Sequence, residues 1–293
     1  MKIVIRMAAG LANRMSQYAY ALYLKDQGYE VYVDNHYKAK KLKTEDVVWD
    51  NIFPNAPIRQ ASSGLIFKLG GGYDLVSKVR RHYLNCSRSV YFAPDMFSGL
   101  PENLLHKSRY VIGVFLNVSF IERIRDLLVR TFQFLPFKDE INIELSDKFQ
   151  HENSVAIHIR KGKDYSLNEI YSNCCDLEYY KAAIKIIKEK IDNPRFYVFT
   201  DNPEWVHRNL MEELDYTLID WNPTIGWGNH FDMQLMSLCK HNIIANSTYS
   251  WWGAFLNSNP EKIVIAPRYW FNKKYEKYKN ASQFTICNGW IAI

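Results

Sequence analysis

Two short stretches carry residue types suited to holding an anionic ligand. Residues 158–165 read H-I-R-K-G-K-D-Y and residues 246–250 read N-S-T-Y-S. His158 and Arg160 flank Ile159, so a strand ending here would put both on one face. The Arg160 fork can grip a phosphate through two parallel hydrogen bonds, which a lysine cannot. Lys161, Lys163 and Asp164 follow in a glycine-containing turn; a solvated loop with an Arg–Asp pair is the plainer reading of that run, but a histidine on the strand itself, at a predicted ligand edge, favours a site. In the second stretch Asn246, Ser247, Thr248 and Ser250 crowd the start of an apolar helical run, Trp251–Leu256. Hydroxyls there cap a helix, and a helix start with bare N–H groups also attracts anions. One serine would suggest only an ordinary cap. Four cap-competent residues followed by two tryptophans favour a ligand site.

Two carboxylates belong with these. Asp201 ends a hydrophobic run, F-Y-V-F-T, and so points at the same strand edge. Asp232 precedes the polar turn. It could accept from the N1–H and N2–H₂ donors of a guanine, or it could cap the helix over 231–240. An arginine, hydroxyls, a helix N-terminus and carboxylates together suit a nucleotide diphosphate. No Asp-x-Asp motif supplies a metal bridge, so Arg160 and the helix end are expected to neutralise the phosphates, with no metal ligands.

The elements that must position these groups read as a chain of βα units. Lys2–Arg6 is a strand, Met7–Asn13 a small-residue turn, and Leu11, Met15, Tyr18 and Leu22 mark one face of a helix. Gly28 is a helix C-cap and Glu30–Val33 the next strand. The turn lacks the spacing of a dinucleotide fingerprint, and Gly10 serves equally as a tight turn or as a ligand contact. Tyr110–Phe115 reads as a strand and Ser119–Phe132 as a helix. The polar segment from Pro136 to Asn153 suits a linker. A second series follows: strands at 155–159, 196–200, 216–219, 242–245 and 263–266, with helices at 177–191, 204–213 and 231–240. This alternation predicts an α/β fold of two facing Rossmann-like domains. The expected bounds are 1–150, on the acceptor side, and 151–272, on the donor side. Residues 273–293 would form a tail packing back on the first domain. From 38 to 105 the pattern is weak. Gly70–Gly72 is not a phosphate loop, because no Lys-Ser or Lys-Thr follows, and Arg80, Arg81 and His82 read as a solvated basic face.

The bounds of the whole chain agree. Its 293 residues are 47% hydrophobic, enough for a substantial core, and the net charge of +6 leans toward an anionic ligand. The cations are spread along the chain, unlike a nucleic-acid arm. Five cysteines, two of them adjacent, argue against a disulfide framework and fit a reducing compartment. A strand at the very start leaves no signal peptide, and no apolar run matches a membrane span.

Three segments resemble the α-1,2-fucosyltransferases of glycosyltransferase family 11. A-A-G-L-A-N-R-M-S-Q-Y-A-Y-A-L-Y-L at 8–24 resembles the family's G-L-G-N-Q-M-F-Q-Y-A opening. H-I-R-K-G-K-D-Y resembles its H-x-R-R-G-D-Y motif, and C-K-H-N-I-I-A-N-S-T-Y-S-W-W-G-A-F-L-N at 239–257 is close to its consensus. Weaker matches lie at 196–205 and 266–271. The resemblance implies a GT-B type fold, GDP-fucose as donor with no cofactor, and inverting, metal-independent transfer to O2 of a terminal β-galactoside. It implies that His158 and Asp232 read the guanine or ribose, and that Arg160 meets the departing β-phosphate. Asp201, Asn246, Ser247, Thr248 and Ser250 would line the donor site, with Arg14 and Asn13 approaching the fucose. Asp164 would join Arg160 and Asn13 in catalysis. His158, Asp164, Asp34 and Glu122 are equal candidates for the general base. Departures from the pattern are Ala12 for a glycine, Arg14 for a glutamine, Lys161 for an arginine and the extra Lys163. L-N-V-S-F-I at 116–121 stands where the family has a Q-S-E-K-Y-F-like segment. The implied setting is a bacterial cytoplasm, with an enzyme soluble or peripheral at the inner membrane and an oligosaccharide or lipid-linked O-antigen glycan as acceptor. A silent GDP-sugar-binding protein, or a transferase of another GDP-sugar, is the competing reading.

Overall fold

The structure is a computed structural model that describes residues 1–36, 49–72, 75–83, 89–210, 214–224 and 228–293, without the side chain of Asp164. It contains two compact units, Met1–Gln133 and Phe134–Ile293.

The first unit is built on four parallel strands. They are β1 (Lys2–Arg6), β2 (Glu30–Asp34), β3 (Val90–Phe92) and β4 (Arg109–Ile112), in the order β2-β1-β4-β3. Ile3, Val4 and Ile5 are fully buried, as expected of a parallel strand covered on both faces. The helix Leu11–Asp26 returns the chain from β1 toward β2, and Gly28, with φ 86°, ends it. The helix expected over 119–132 is interrupted. It runs as Val118–Ile121, a 3₁₀ turn at Glu122–Ile124, and Arg125–Thr131. Ile121, Ile124, Leu128 and Phe132 are nevertheless buried as their spacing predicts.

The second unit carries six parallel strands. These are β5 (Ser154–Ile159), β6 (Arg195–Thr200), β7 (Tyr216–Ile219), β8 (His241–Ile243), β9 (Val264–Ala266) and β10 (Ile291–Ala292), in the order β10-β9-β8-β5-β6-β7. All six residues of β5 are buried. Val155, Ile157 and Ile159 pack with Tyr180, Ala183 and Ile187 of the helix Leu177–Lys190. The chain steps outward from β5 to β6 and β7, then returns to β8 on the other side of β5. That reversal is the switch point at which open α/β sheets bind ligands, beyond the carboxyl ends of the strands.

Two expectations are adjusted. The division falls after Gln133, and the segment read as a linker supplies a helix, Glu140–His151. Asp139 caps it by accepting from Asn142 N–H, and Asn142, Leu145 and Phe149 are buried. The polar composition of 136–153 reflects one exposed face of this helix. The C-terminal residues belong to the second unit, where β10 extends the sheet and Thr285 O accepts from Trp251 Nε1 at 2.6 Å.

Candidate functional site

The two motifs meet at the switch point of the second unit. β5 and β8 are hydrogen-bonded neighbours, with Ile157 opposite Ile243. Their carboxyl ends therefore bring His158 and Arg160 against Ser247 and Ser250. The His158 ring lies 2.9 Å through Nδ1 from Ser250 Oγ, and Arg160 Nη1 donates to Ser247 Oγ at 3.3 Å. Burial, reinforced by the Arg160 charge, pushes His158 down to about 3. Its imidazole is thus neutral at pH 7 and a weak base. Behind it Tyr180 donates its hydroxyl to the His158 carbonyl at 3.1 Å.

The helix Thr248–Leu256 starts at this point. Ser247 has extended backbone and its side chain accepts from Tyr249 N–H, which makes it the N-cap. The rest of the helix is seated in the core. Trp251 and Trp252 are both fully buried, so the tryptophans read as a ligand signal serve packing instead. Gly253 lets the helix Phe231–Leu238 approach, since a Cβ there would stand 3.0 Å from Met236 Cβ. A core-anchored helix thereby presents its N-terminal dipole end and the Ser247 hydroxyl beside Arg160 at the end of β5. That combination favours a phosphate.

The turn after β5 is held by the neighbouring strand. Asp201, just past β6, accepts from the backbone N–H groups of Lys161 and Gly162 at 2.7 and 2.8 Å. Asn202 donates to Lys161 O at 2.9 Å. Asp201 thus acts on the loop that carries Arg160. Burial lowers the Lys161 pKa, and its ammonium lies 5.0 Å from the Trp205 ring centre. Asn246 is similarly engaged by protein. Its Oδ1 accepts from Tyr165 OH at 2.6 Å and from Cys175 Sγ at 3.5 Å; its Nδ2 donates to Tyr171 O and Trp270 O, each at 3.0 Å. It is a brace beneath the helix start. Thr248 is half-buried in the first helical turn. Lys163 and Asp164 lie in a short helix, Lys163–Ser166, and the Asp164 side chain lies outside what is described.

Asp232 stands in the first turn of the helix Phe231–Leu238, whose N-cap, His230, makes no side-chain capping bond. Instead Asp232 Oδ1 accepts from Asn222 Nδ2 at 2.8 Å. Asn222 accepts in turn from Asn142 Nδ2 at 2.8 Å, and Trp221 Nε1 donates to Asn142 Oδ1 at 3.1 Å. Burial raises Asp232 to about 6, with the Asn222 bond working against the rise. Tyr249 ties this group to the helix start: its hydroxyl accepts from Met233 N–H at 3.0 Å and donates to Asn229 O at 2.7 Å. Tyr249 and Asn222 were missed in the sequence. Tyr249 lies between two singled-out residues, but nothing in the spacing of either marks a contact ten or more positions away.

In the first unit the turn after β1 is organised differently. Arg14 is buried, and it donates to Ala9 O at 3.0 Å and Asn35 Oδ1 at 3.1 Å. Gln17 accepts from Ala8 N–H at 2.7 Å and donates to Gly113 O at 2.8 Å. Ala9 adopts φ 70°, a left-handed conformation uncommon for alanine. Asn13 is half-buried in the first turn of the following helix. Asp34 is fully buried and accepts from Tyr110 OH at 2.6 Å, with His36 Nδ1 at 2.9 Å. Glu122 sits half-buried in the 3₁₀ turn.

Residues 92–293 match the sequence model of Glycosyl transferase family 11. An O-antigen biosynthesis glycosyltransferase, WbnK, from Escherichia coli is 27% identical over 98% of this chain and 99% of its own. An alpha-1,2-colitosyltransferase from Escherichia coli is 31% identical over 93% of each chain. Among solved structures, the fucosyltransferase NodZ from Bradyrhizobium superposes with a TM-score of 0.53 at 14% identity, over 91% of this chain and 96% of its own. Arabidopsis thaliana FUT1 in complex with GDP gives 0.52 at 13% identity, over 90% and 70%. At those identities the likeness is one of fold, and it agrees with the expected GT-B type α/β class.

Proposed function

The chain belongs to glycosyltransferase family 11, and from that premise we propose that it moves L-fucose from GDP-β-L-fucose to O2 of a terminal β-galactoside, with inversion. The observation that carries the reading is the meeting of Arg160 and Ser247 at the switch point between β5 and β8. The diphosphate lies at the N-terminus of the helix Thr248–Leu256, against Ser247, Thr248 and the Arg160 fork. Asp232 accepts from the guanine edge, and Asn222 fixes its rotamer. As the fucosyl–oxygen bond breaks, negative charge grows on the β-phosphate, and Arg160 and the helix end stabilise it more than they stabilise the ground state. Neutral His158 holds Ser250 and shapes the site; with its pKa near 3 it is a poor proton acceptor. That leaves Asp164, Asp34 and Glu122 as base candidates. Within the first unit, Arg14 holds the shape of the turn after β1.

A second donor is favoured by one observation, the 31% identity to an alpha-1,2-colitosyltransferase over 93% of the chain. Colitose is L-fucose without its 3-hydroxyl. A site that hydrogen-bonds this hydroxyl rejects the deoxy sugar by about 10⁴ or more, whereas an apolar lining tolerates it. Incubating the protein with GDP-fucose or GDP-colitose and a β-galactoside, followed by NMR of the product, tests both readings. An α-1,2-fucosylated product is expected. GDP binding without transfer from either donor to a panel of β-galactosides would contradict the enzyme reading and support a silent GDP-sugar binder.

A further inference from the structure

The helix Leu75–Tyr83 of the first unit is turned the wrong way for folding alone. Leu75, Val76, Val79 and Tyr83 are 75%, 62%, 44% and 74% exposed. At 3.6 residues per turn these four fall within one sector of about 100°. Ser77, on the opposite side, is buried. Arg81 Nη1 donates to Gly70 O and Gly72 O at 2.8 and 2.9 Å. Arg80 donates to Phe67 O at 3.2 Å and lies over the Phe67 ring, 3.4 Å from its centre. The polar residues therefore fasten the helix to the protein and the apolar ones face out. Phe67, 52% exposed, extends the apolar surface.

Charge selects what this surface meets. Lys78 and His82 flank the apolar sector on the helix, and both are exposed, as is Lys68 on the preceding helix, Ser63–Lys68. From Asn51 to Pro94 the sequence carries Arg59, Lys68, Lys78, Arg80, Arg81 and Arg88 against a single acid, Asp74. A second copy of the same helix would bring like charges together. An anionic bilayer would instead receive the apolar side chains among its acyl chains and the flanking cations among its phosphates. No helix among the described residues is long and apolar enough to cross a membrane.

We propose that Leu75, Val76, Val79 and Tyr83, with Phe67 and the flanking Lys68, Lys78 and His82, form a docking surface for an anionic phospholipid membrane. The helix lies in the plane of the bilayer surface; its nine residues span about 14 Å. This surface does not depend on which sugar the protein transfers.

Vesicle flotation tests it, using phosphatidylcholine vesicles with and without phosphatidylglycerol. The parent is expected to float with the mixed vesicles, to stay behind with pure phosphatidylcholine, and to be released by high salt. Leu75→Glu with Val79→Glu should reduce partitioning at least tenfold, and Lys78→Gln by about fivefold, the worth of one cation near the surface. Circular dichroism should show the double variant melting with the parent, because these side chains make no core. A parent that ignores phosphatidylglycerol vesicles overturns the proposal, and so does a folded double variant that floats as the parent does. A concentration-dependent dimer in sedimentation, dispersed by the same double variant, would assign the surface to a second copy instead.

Discussion

The two units place a turn at the same topological position and use it in opposite ways. In each sheet the order reverses beside the first strand, between β1 and β4 in one and between β5 and β8 in the other. In the first unit Gln17 spans that point, linking Ala8 N–H to Gly113 O, while Arg14 is fastened to Ala9 O and Asn35. The polar side chains hold the loop itself. In the second unit side chains from outside the loop brace it: Asp201 ties Lys161 and Gly162, and Asn246 is anchored by four protein partners. This leaves Arg160 and Ser247 side by side at a helix N-terminus. One arrangement fixes the shape of a turn; the other sets a guanidinium and a hydroxyl beside a helix N-terminus.

The contrast predicts different kinds of damage. Arg160→Ala should lower kcat on the order of 10²–10³, by analogy with the loss of one oxyanion donor, and leave the thermal midpoint close to the parent's. Arg160→Lys should fall between, because it keeps the charge and loses the fork. Gln17→Leu should do the reverse. Two half-buried backbone groups lose their partner, so stability should fall by about 1 kcal/mol for each, read by urea unfolding. A Gln17→Leu protein with parental stability and a collapsed donor affinity would erase the distinction between the two turns.

Base recognition sharpens the comparison further. If Asp232 accepts from guanine, it must be ionised, and burial holds its pKa near 6 in the unliganded protein. GDP affinity should then weaken as pH falls through 6, by at most about tenfold per unit. Asp232→Asn should bind more weakly at pH 8 and lose the slope attributable to this group, as read by calorimetry. A parental slope retained in Asp232→Asn would assign the titration elsewhere. The smallest expected effect is that of chelation. With Arg160 and the helix end carrying the diphosphate charge, excess EDTA should leave the rate unchanged, and recovery by Mg²⁺ or Mn²⁺ after a complete loss would refute that.

Much of this arrangement was legible in the sequence, because local patterns fix local structure. The strand at His158, the cap at Ser247 and the small-residue turn after β1 all follow from alternation and turn chemistry. The pairing of β5 with β8 was not written in any window, since residues 157 and 243 are joined only by the sheet. The same limit hid the Asp232–Asn222–Asn142 chain, whose last member sits in a segment read as a linker. Trp251 and Trp252 misled for a related reason. Aromatic side chains serve a sugar face or a core equally well, and only the packing around the helix decides. The basic run at Arg80–His82 was read as a solvated face; its arginines bond backbone carbonyls, and the exposed sector belongs to Leu75, Val76, Val79 and Tyr83.

A crystal structure of the protein with GDP tests the central claim most directly. The account predicts the β-phosphate within hydrogen-bond distance of the Arg160 guanidinium and of the N-terminal N–H groups of the helix Thr248–Leu256, with the guanine edge on Asp232. A diphosphate bound away from Arg160 and Ser247, with the protein otherwise folded as described, would contradict it.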